Sequence, residues 1–539
     1  MTVALEAAGA RIPRPTVAAA PCRRPLAGVA AVLMGAFIST LNTRVTTFGL
    51  ADIRGGFGLG FDEGSWLTTV FSASQMIVAP GAAWLSMVIG TRRFLLWASA
   101  VFTLSSLMLP LTADYGSIIA LQIIRGLSVG TFIPAALGFI LRSLAPRWWI
   151  WGIAAYAFRF VFSQNVAASL EAWYSETGDW QWIFWQNVVL TPVMALIIIW
   201  GVPREGIDRD LLRRTDWGAI IFAGLGFGLI YAALDQGNRL DWLNSGVVNG
   251  CLAGGLLLVA AFVVNEMIVE HPLIHMRVLG QVNVAIPALL VGIYGFGSQA
   301  TAYVLPDYLT RIQGLRALQI GDVLNWIALP QFLLIPLVVL ALRRIDARLL
   351  LTIGFALIAI GSWMDTGLTH DWASGDFLPS QIVEAVGLAI GITSLVTFAV
   401  SNITPPQAAA IAATIQIARL FGIEMGTAFI QTFVRVREQV YSNWIGQHVS
   451  SGSDVVERMV TALSNVFSER ANNLGLETSQ GIAAAGRFVQ REAYVLAYID
   501  GFWIVAWVLA LAPLLVLLLR HPPPNPMTPP RIDIPQARR

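Results

Sequence analysis

Runs of about 18 or more apolar residues recur along almost the whole 539-residue chain. Each is long enough to cross the ~30 Å hydrocarbon core of a bilayer as a helix. Within lipid, backbone N–H and C=O groups must be satisfied by helical or closed-barrel bonding. A barrel would show short segments of alternating hydrophobicity instead. The chain therefore reads as an all-α polytopic membrane protein. Its charge content agrees: 12% of residues are charged, against about 25% in soluble domains.

The runs predict about fourteen transmembrane helices. They begin near Leu26, Trp66, Phe94, Ser117, Trp148, Trp182, Trp217, Gly246, Asn283, Asp322, Leu349, Phe377, Ala408 and Tyr498. The run from Leu26 is too long for a signal-peptide core and lacks a convincing cleavage site. Trp and Tyr at many span edges fit an interfacial belt.

Orientation follows from basic residues in short loops, all of them arginine because the chain has no lysine. One set of loops holds Arg92 and Arg93; Arg142 and Arg147; Arg204, Arg209, Arg213 and Arg214; Arg277; and Arg343, Arg344 and Arg348. Both tails join that set. The opposite short loops hold only Arg54, Arg239, Arg311 and Arg316. Both termini are thus expected in the cytoplasm, which requires an even number of spans. The tail His521–Arg539 is proline-rich and expected to be unstructured. One outside loop, Arg435 to Tyr498, is far longer than the others. In it Ser453 is a candidate N-cap, and Val456, Met459, Val460, Leu463 and Phe467 follow at helical spacing. Asn472, Asn473 and Gly475 predict a stop, and a second helix from about Gln480 leads into the last span.

Charges inside spans are costly and are functional candidates by default. Arg44, Arg125, Arg159 and Arg419 lie within spans, with the acids Glu171, Asp235, Glu384 and Glu424. At ~1.5 Å of rise per residue, Arg125, Arg159 and Arg419 fall near the midplane. Arg44, Glu384 and Glu424 fall in the outer half, and Glu171 and Asp235 near the outer surface. Acids biased outward are suited to collecting protons from outside. Salt bridging that merely orients helices is the alternative role, above all for Asp235. Gly224, Gly226 and Gly228 read as generic close packing of helices. His271 and His275 have helical spacing but no third metal ligand nearby, and Cys22 and Cys251 are too far apart for a disulfide framework. No phosphate loop, nucleophile triad or zinc spacing is visible, so no enzyme is expected. No soluble segment is large enough to be a nucleotide-binding domain.

Several local motifs run in a familiar order: DEGSW (Asp62–Trp66), WQWIFWQNV (Trp180–Val188), LDQGNRLDW (Leu234–Trp242), HPL (His271–Leu273), IDARLL (Ile345–Leu350) and Arg419 before GIEMGT (Gly422–Thr427). Together with the long final outside loop, they make the chain resemble the 14-helix drug:proton antiporters of the major facilitator superfamily, specifically the EmrB type, nearly end to end. The resemblance implies two six-helix bundles around an alternating-access cavity, with two additional helices between them. The expected division is a cytoplasmic tail 1–25, a first bundle 26–203, and the two additional helices with linkers 204–281. A second bundle, 282–520, includes the periplasmic helical loop 435–497, and a cytoplasmic tail 521–539 follows. The resemblance also implies inner-membrane, proton-driven efflux of hydrophobic compounds, with no cofactor beyond the proton gradient. The implied partners are a small-molecule substrate, membrane lipids, a periplasmic adaptor of the membrane-fusion class and an outer-membrane channel, with the 435–497 loop as landing site. Nucleic acid is not among them.

The chain departs from the family pattern at four places. The first-span LDxT, whose acid is linked to proton coupling, is LNTR here (Leu41–Arg44), so Asn42 cannot titrate and Arg44 adds a cation. RxxQG in the fourth span reads Gln122-Ile-Ile-Arg125-Gly126, with the two side chains exchanged over one turn on the same face. The cytoplasmic loop motif GxLADRxGRR reads AWLSMVIGTRR; Met87 replaces its acid, while Gly90, Arg92 and Arg93, expected to be structural or gating residues with Asp235, survive. GPxxGG in the fifth span reads AASLEA (Ala167–Ala172), with Glu171 in a glycine position. If the chain is an antiporter, another acid carries the proton: Glu424 first, expected beside Arg419, then Glu384 and Glu171. The expected cavity is lined by Asn42, Arg44, Gln122, Arg125, Arg159 and Arg419, suited to amphipathic and weakly acidic molecules. Two other readings stay open: a dedicated exporter of a lipid or secondary metabolite, and a degenerate, non-transporting scaffold or sensor.

Overall fold

The computed structural model describes residues 24–270, 272–273, 280–401, 408–448, 457–458, 460–462 and 474–520. Among them, thirteen helices are long and apolar enough to cross a membrane. A fourteenth, Trp149–Thr177, is 29 residues long but more polar, because it carries Arg159 and Glu171. In chain order the spans are: 1, Pro25–Phe48; 2, Phe61–Ile89; 3, Thr91–Met108; 4, Tyr115–Val129 continued by Phe132–Ser143; 5, Trp149–Thr177; 6, Trp182–Gly201; 7, Trp217–Gly237. Then come 8, Gly246–Ile268; 9, Val282–Gly297 continued to Arg311; 10, Ala317–Ala328 continued by Gln331–Leu342; 11, Ala347–Met364; 12, Leu378–Ser401; 13, Ala408–His448; and 14, Leu474–Leu517.

Spans 1 to 6 pack on one another, and so do spans 9 to 14. The two groups meet along span 5 against span 10 and span 2 against span 13. Spans 7 and 8 pair with each other, and span 7 lies on span 2. Glycine explains how closely it does so: a Cβ on Gly224 would lie 2.3 Å from the Ile77 carbonyl oxygen, and one on Gly228 would lie 2.5 Å from the Ile77 side chain. The packing role expected for these glycines is what they perform. It also sets Asp235, farther along span 7, against span 2.

Span 5 is one uninterrupted helix, consistent with the loss of its bending glycines. Span 9 is not regular: Ala300–Val304 forms a π-helical turn, which irregularly exposes backbone carbonyls. Nothing in the sequence pattern announced it. Gly90 ends span 2 at φ 93°, a conformation that favours glycine.

The long final loop differs from expectation. Span 13 continues as helix through Arg435 to His448, and span 14 starts at Leu474 rather than at Tyr498. Gly475 is therefore inside a helix, and the helix begins six residues before Gln480. The physical reason is continuity of helix-forming sequence on both sides of the membrane boundary, where polarity changes but periodicity does not. At ~1.5 Å per residue these helices are ~60–65 Å long, about twice the hydrocarbon thickness. They project together. Arg437 donates to Asp500 at 2.5 Å and to the Tyr441 hydroxyl at 2.5 Å, and Tyr441 donates to Asp500 at 2.8 Å. Neighbouring loops clamp the base. Trp242 reaches Thr432 at 3.0 Å from a backbone held at positive φ, and Glu492 faces His370 at 3.2 Å. The expected helix from Ser453 lies mostly outside the described residues, as do Arg277, His271, His275, Cys22, both tails and part of the HPL motif.

Candidate functional site

The interior charges fall into two kinds of place. Arg125, fully buried, sits between spans 1, 3, 4 and 6. Its Nε donates to Ser106 at 3.1 Å, Nη1 to Gln122 at 2.5 Å, and Nη2 to Asn42 Oδ1 at 2.9 Å. Asn187 donates to the same Asn42 oxygen at 2.7 Å. Phe71, Phe102 and Phe184 present ring faces to the guanidinium at 5.4, 5.5 and 4.7 Å. The cation is held by neutral acceptors and π-faces alone. The exchanged Gln122 and Arg125 thus bond to each other across one turn, and Asn42 fills the place of an acid without its charge.

Arg159 and Arg419 form a second cationic place, where Arg419 of span 13 reaches Phe160 of span 5. Arg159 stacks on Tyr156 at 4.2 Å, and its Nη1 donates to Thr40 at 2.9 Å and to the Ala36 carbonyl at 3.3 Å. Arg419 stacks on Phe160 at 5.1 Å and donates to Gln416 at 3.2 and 3.3 Å. The expected neighbourhood of Arg419 and Glu424 is not formed. Five residues on a helix turn through ~500°, which points the two side chains to different faces. Arg44 is separate again. Its Nη2 donates to the Ala302 carbonyl in the π-helical turn at 2.8 Å, which ties span 1 to span 9.

The acids pair with acids. Glu424, 4% exposed, lies close enough to Tyr231 and Asp235 of span 7 for their charges to act on one another, and its Oε1 is buried without a hydrogen-bond partner among the described residues. Thr69 of span 2 donates to Asp235, and Gln236 donates to Thr69. The cation acting on this pair, Arg239, is already ion-paired with Asp62. Glu384 accepts from Thr301 and, at 3.0 Å, from Ser362, and it faces the buried Asp365 at the end of span 11. Glu171 shares the Ser175 hydroxyl with Asp52, at 2.8 Å from each. All three pairs lie toward the end of the bundle from which spans 13 and 14 project.

A small cavity lies between spans 5, 9 and 12, lined by Phe160, Gln164, Asn165, Tyr294, Thr301 and Leu388. It touches the aromatic platform of Arg419 on one side and the partner of Glu384 on the other. At the opposite, arginine-rich end, Thr91 N–H donates to Glu205 at 3.0 Å and Arg142 donates to the Thr91 hydroxyl at 3.1 Å. Glu205 packs against Gly90. It supplies a carboxylate near the loop whose own acid is replaced by Met87. Arg92 reaches the Val202 carbonyl at 3.4 Å, whereas Arg93 is exposed.

A family model described as Major Facilitator Superfamily matches residues 32–427. The chain belongs to that superfamily. The multidrug export protein EmrB of Haemophilus influenzae is 22% identical to this facilitator over 502 residues, covering 92% of this chain and 95% of the relative. The fatty acid resistance protein FarB of Neisseria gonorrhoeae is 24% identical over 450 residues, 82% and 87% of the two chains. Among solved structures, the proton:xylose symporter XylE superposes with a TM-score of 0.56 at 13% identity, covering 91% and 94%. The human organic anion transporter MFSD10 does so with a TM-score of 0.53 at 11% identity, covering 90% and 99%. These likenesses establish the facilitator fold.

The structure of this facilitator brings Asn42, Gln122 and Arg125 together, sets Arg159 with Arg419, and leaves Arg44 apart. It joins Asp235 to Glu424, which the sequence had separated into different roles. Sequence reasoning missed Asp52, Asp365, Tyr231, Thr69, Asn187 and Glu205. Tyr231 stands four residues before Asp235, a spacing that could have found it. Asn187 stood inside a motif already singled out. Asp365 reads as a loop residue, because nothing local tells a buried helix-end acid from a solvated one, and Asp52 is exposed and shows its role only through the hydroxyl it shares with Glu171.

Proposed function

We propose that this facilitator is an inner-membrane secondary transporter that exports hydrophobic or amphipathic small molecules, weakly acidic ones among them, by proton antiport. Both termini lie in the cytoplasm. The names of its relatives, multidrug export for one and fatty acid resistance for another, support the substrate range. One observation carries the coupling: the Glu424–Asp235 pair, shared between span 13 and span 7 and lacking a free cation among the described residues. Two carboxyl groups in contact away from water cannot both carry charge, so the pair holds a proton that a gradient can load and unload. Loading breaks or makes the contact between the two spans, and span 7 also holds span 2. Proton occupancy therefore acts on the span 2–span 13 seam between the two groups of helices. Glu384 with Asp365 and Glu171 with Asp52 are further proton-binding places on the same side.

The projecting helices are the proposed seat of a periplasmic adaptor that leads to an outer-membrane channel. Val436, Trp444, Ile482 and Phe488 are exposed on them. The arginine bias of the opposite loops supports a periplasmic projection. The test uses proteoliposomes with an imposed pH gradient. Wild type should drive accumulation of an amphipathic dye, and Glu424→Gln should not, while retaining dye counterflow. Unchanged gradient-driven transport in Glu424→Gln would refute the coupling assignment.

A further inference from the structure

We infer that Arg159 and Arg419 form a binding site for the carboxylate of an amphipathic substrate, with the aliphatic or aromatic body lying in the adjoining cavity. This deepens the exporter reading and rests on it for the word substrate. It also selects two of the four interior arginines and excludes the others.

The selection comes from how each guanidinium uses its N–H groups. Arg125 spends its Nε, Nη1 and Nη2 on Ser106, Gln122 and Asn42, with phenylalanine rings over its face. It has no open edge. Arg44 points its Nη2 at a backbone carbonyl across the seam and leaves one buried donor, Nε, unpaired against two on Arg159. Arg159 is different: it is 3% exposed, and its Nε and Nη2 are buried without a hydrogen-bond partner. A buried, unpaired donor on a charged group is costly. Among the described residues no carboxylate acts on Arg159 or Arg419; Tyr156 acts on both, and the charge of Arg159 acts on Arg419. Two neighbouring like charges, with two unused donors on Arg159, define a place for an anion.

The platform sets the geometry. Tyr156 and Phe160 are one turn apart on the same face of span 5, so the two rings that carry the guanidiniums start about 6 Å apart along that face. An anion between them can receive a hydrogen bond from each. Carboxylate suits the planar donor fork of arginine. Phe160 continues from Arg419 into the cavity, where its ring lies 6.2 Å from Tyr294. A charged head and an apolar body are thus accommodated in sequence. Span 5 belongs to one group of helices and span 13 to the other, so the head group would neutralise the repulsion across the moving seam.

The test uses the full chain in nanodiscs of neutral phosphatidylcholine, with dansyl-undecanoate as probe and its primary amide as control. Wild type should bind the carboxylate at least roughly 10-fold more tightly than the amide. Arg159→Gln and Arg419→Gln should each remove that preference, and Arg343→Gln, a surface control, should keep it. Arg159→Lys and Arg419→Lys should retain part of it and cover the case in which a glutamine variant does not fold. Equal binding of acid and amide by wild type would overturn the inference. So would a preference that survives both glutamine variants. Added phosphatidylglycerol should leave the probe bound; its displacement would assign the site to lipid head groups and overturn the substrate assignment. Because binding is read without a gradient, its failure is distinct from that of the exporter reading. Gradient-driven export of a neutral amphiphile without carboxylate preference would sink this inference alone. Intact preference without any antiport would sink the exporter reading alone.

Discussion

The interior arginines and the interior acids sit at different depths and keep different company. Arg125, Arg159 and Arg419 lie mid-helix among amides, hydroxyls and aromatic faces, and Arg159 keeps two donors unpaired. Glu424, Glu384 and Glu171 lie nearer the projecting end, and each faces another acid. In a membrane the simplest use of opposite charges is to pair them, which removes the cost of both. This facilitator leaves them apart, with a permanent positive field at the centre and, on the proposed reading, exchangeable protons at one side. Such an arrangement can separate the two jobs of an exporter. Arginine cannot lose its proton in the working range and attracts anions; a carboxyl pair can exchange a proton without a fixed counter-charge.

The comparison can be broken most severely at Glu424. Glu424→Gln fixes one member of the pair in a neutral form and should abolish pH-gradient-driven transport. Asp235→Asn should do the same, and the double variant should be no worse, because the two act as a unit. Additive losses would mean that the acids serve separate steps. The converse experiment puts an acid on a cation. Asn42→Asp places a carboxylate against Arg125, which is already buried and charged. It should raise the melting temperature by a few degrees, with a gain of about 1–3 kcal/mol from a charged hydrogen bond. A lowered melting temperature would mean that desolvation of the new acid wins.

Packing gives a smaller handle. Gly224→Val drives a side chain into the Ile77 carbonyl and should shift span 7 off span 2 at a cost of about 1–3 kcal/mol. If the Glu424–Asp235 contact transmits the proton signal, this variant also uncouples transport while still folding. The projection should respond least. Arg437→Ala removes a half-exposed ion pair worth about 1 kcal/mol or less, so transport in liposomes should be unchanged and only adaptor capture reduced. Asp114 is the control for the buried acids. The Ser117 backbone N–H, then its hydroxyl, bond to this carboxylate and hold it below the ordinary carboxylate range. Its contribution to stability is therefore full above the unfolded value, near pH 4, and is lost as pH falls through the folded one. Asp114→Asn should flatten only that acidic limb of the stability curve, leaving transport near neutral pH untouched.

The spans were legible because a bilayer imposes a length and a polarity on each of them. Thirteen could be read from hydropathy alone, and Trp149–Thr177 emerged because its length and flanks fit despite Arg159 and Glu171. The projection was legible as an anomaly and, on its second side, as a helix from about Gln480 leading into the last span; the unbroken extension of span 13 to His448 was not legible, since hydropathy stops at the membrane boundary and helical periodicity does not. The site was half legible. That Arg125 meets Gln122 follows from a three-residue spacing within one helix. That Glu424 meets Asp235 depends on span 7 lying on span 2 through Gly224 and Gly228, a tertiary event that no spacing encodes. The π-helical turn at Ala300–Val304 was invisible for the same reason: it brings the Thr301 hydroxyl to Glu384 and the Ala302 carbonyl to Arg44, neither of which is local in sequence.

The central claim is that substrate at the arginines and protons at the acids exclude one another through the seam between the two groups of helices. It is tested most directly by proton release on substrate addition to the purified protein in weakly buffered solution containing a pH indicator. The account predicts that saturating amphipathic substrate releases protons from wild type and none from Glu424→Gln, although that variant still binds substrate. Equal release from both proteins, or substrate binding to wild type with no release, would contradict it.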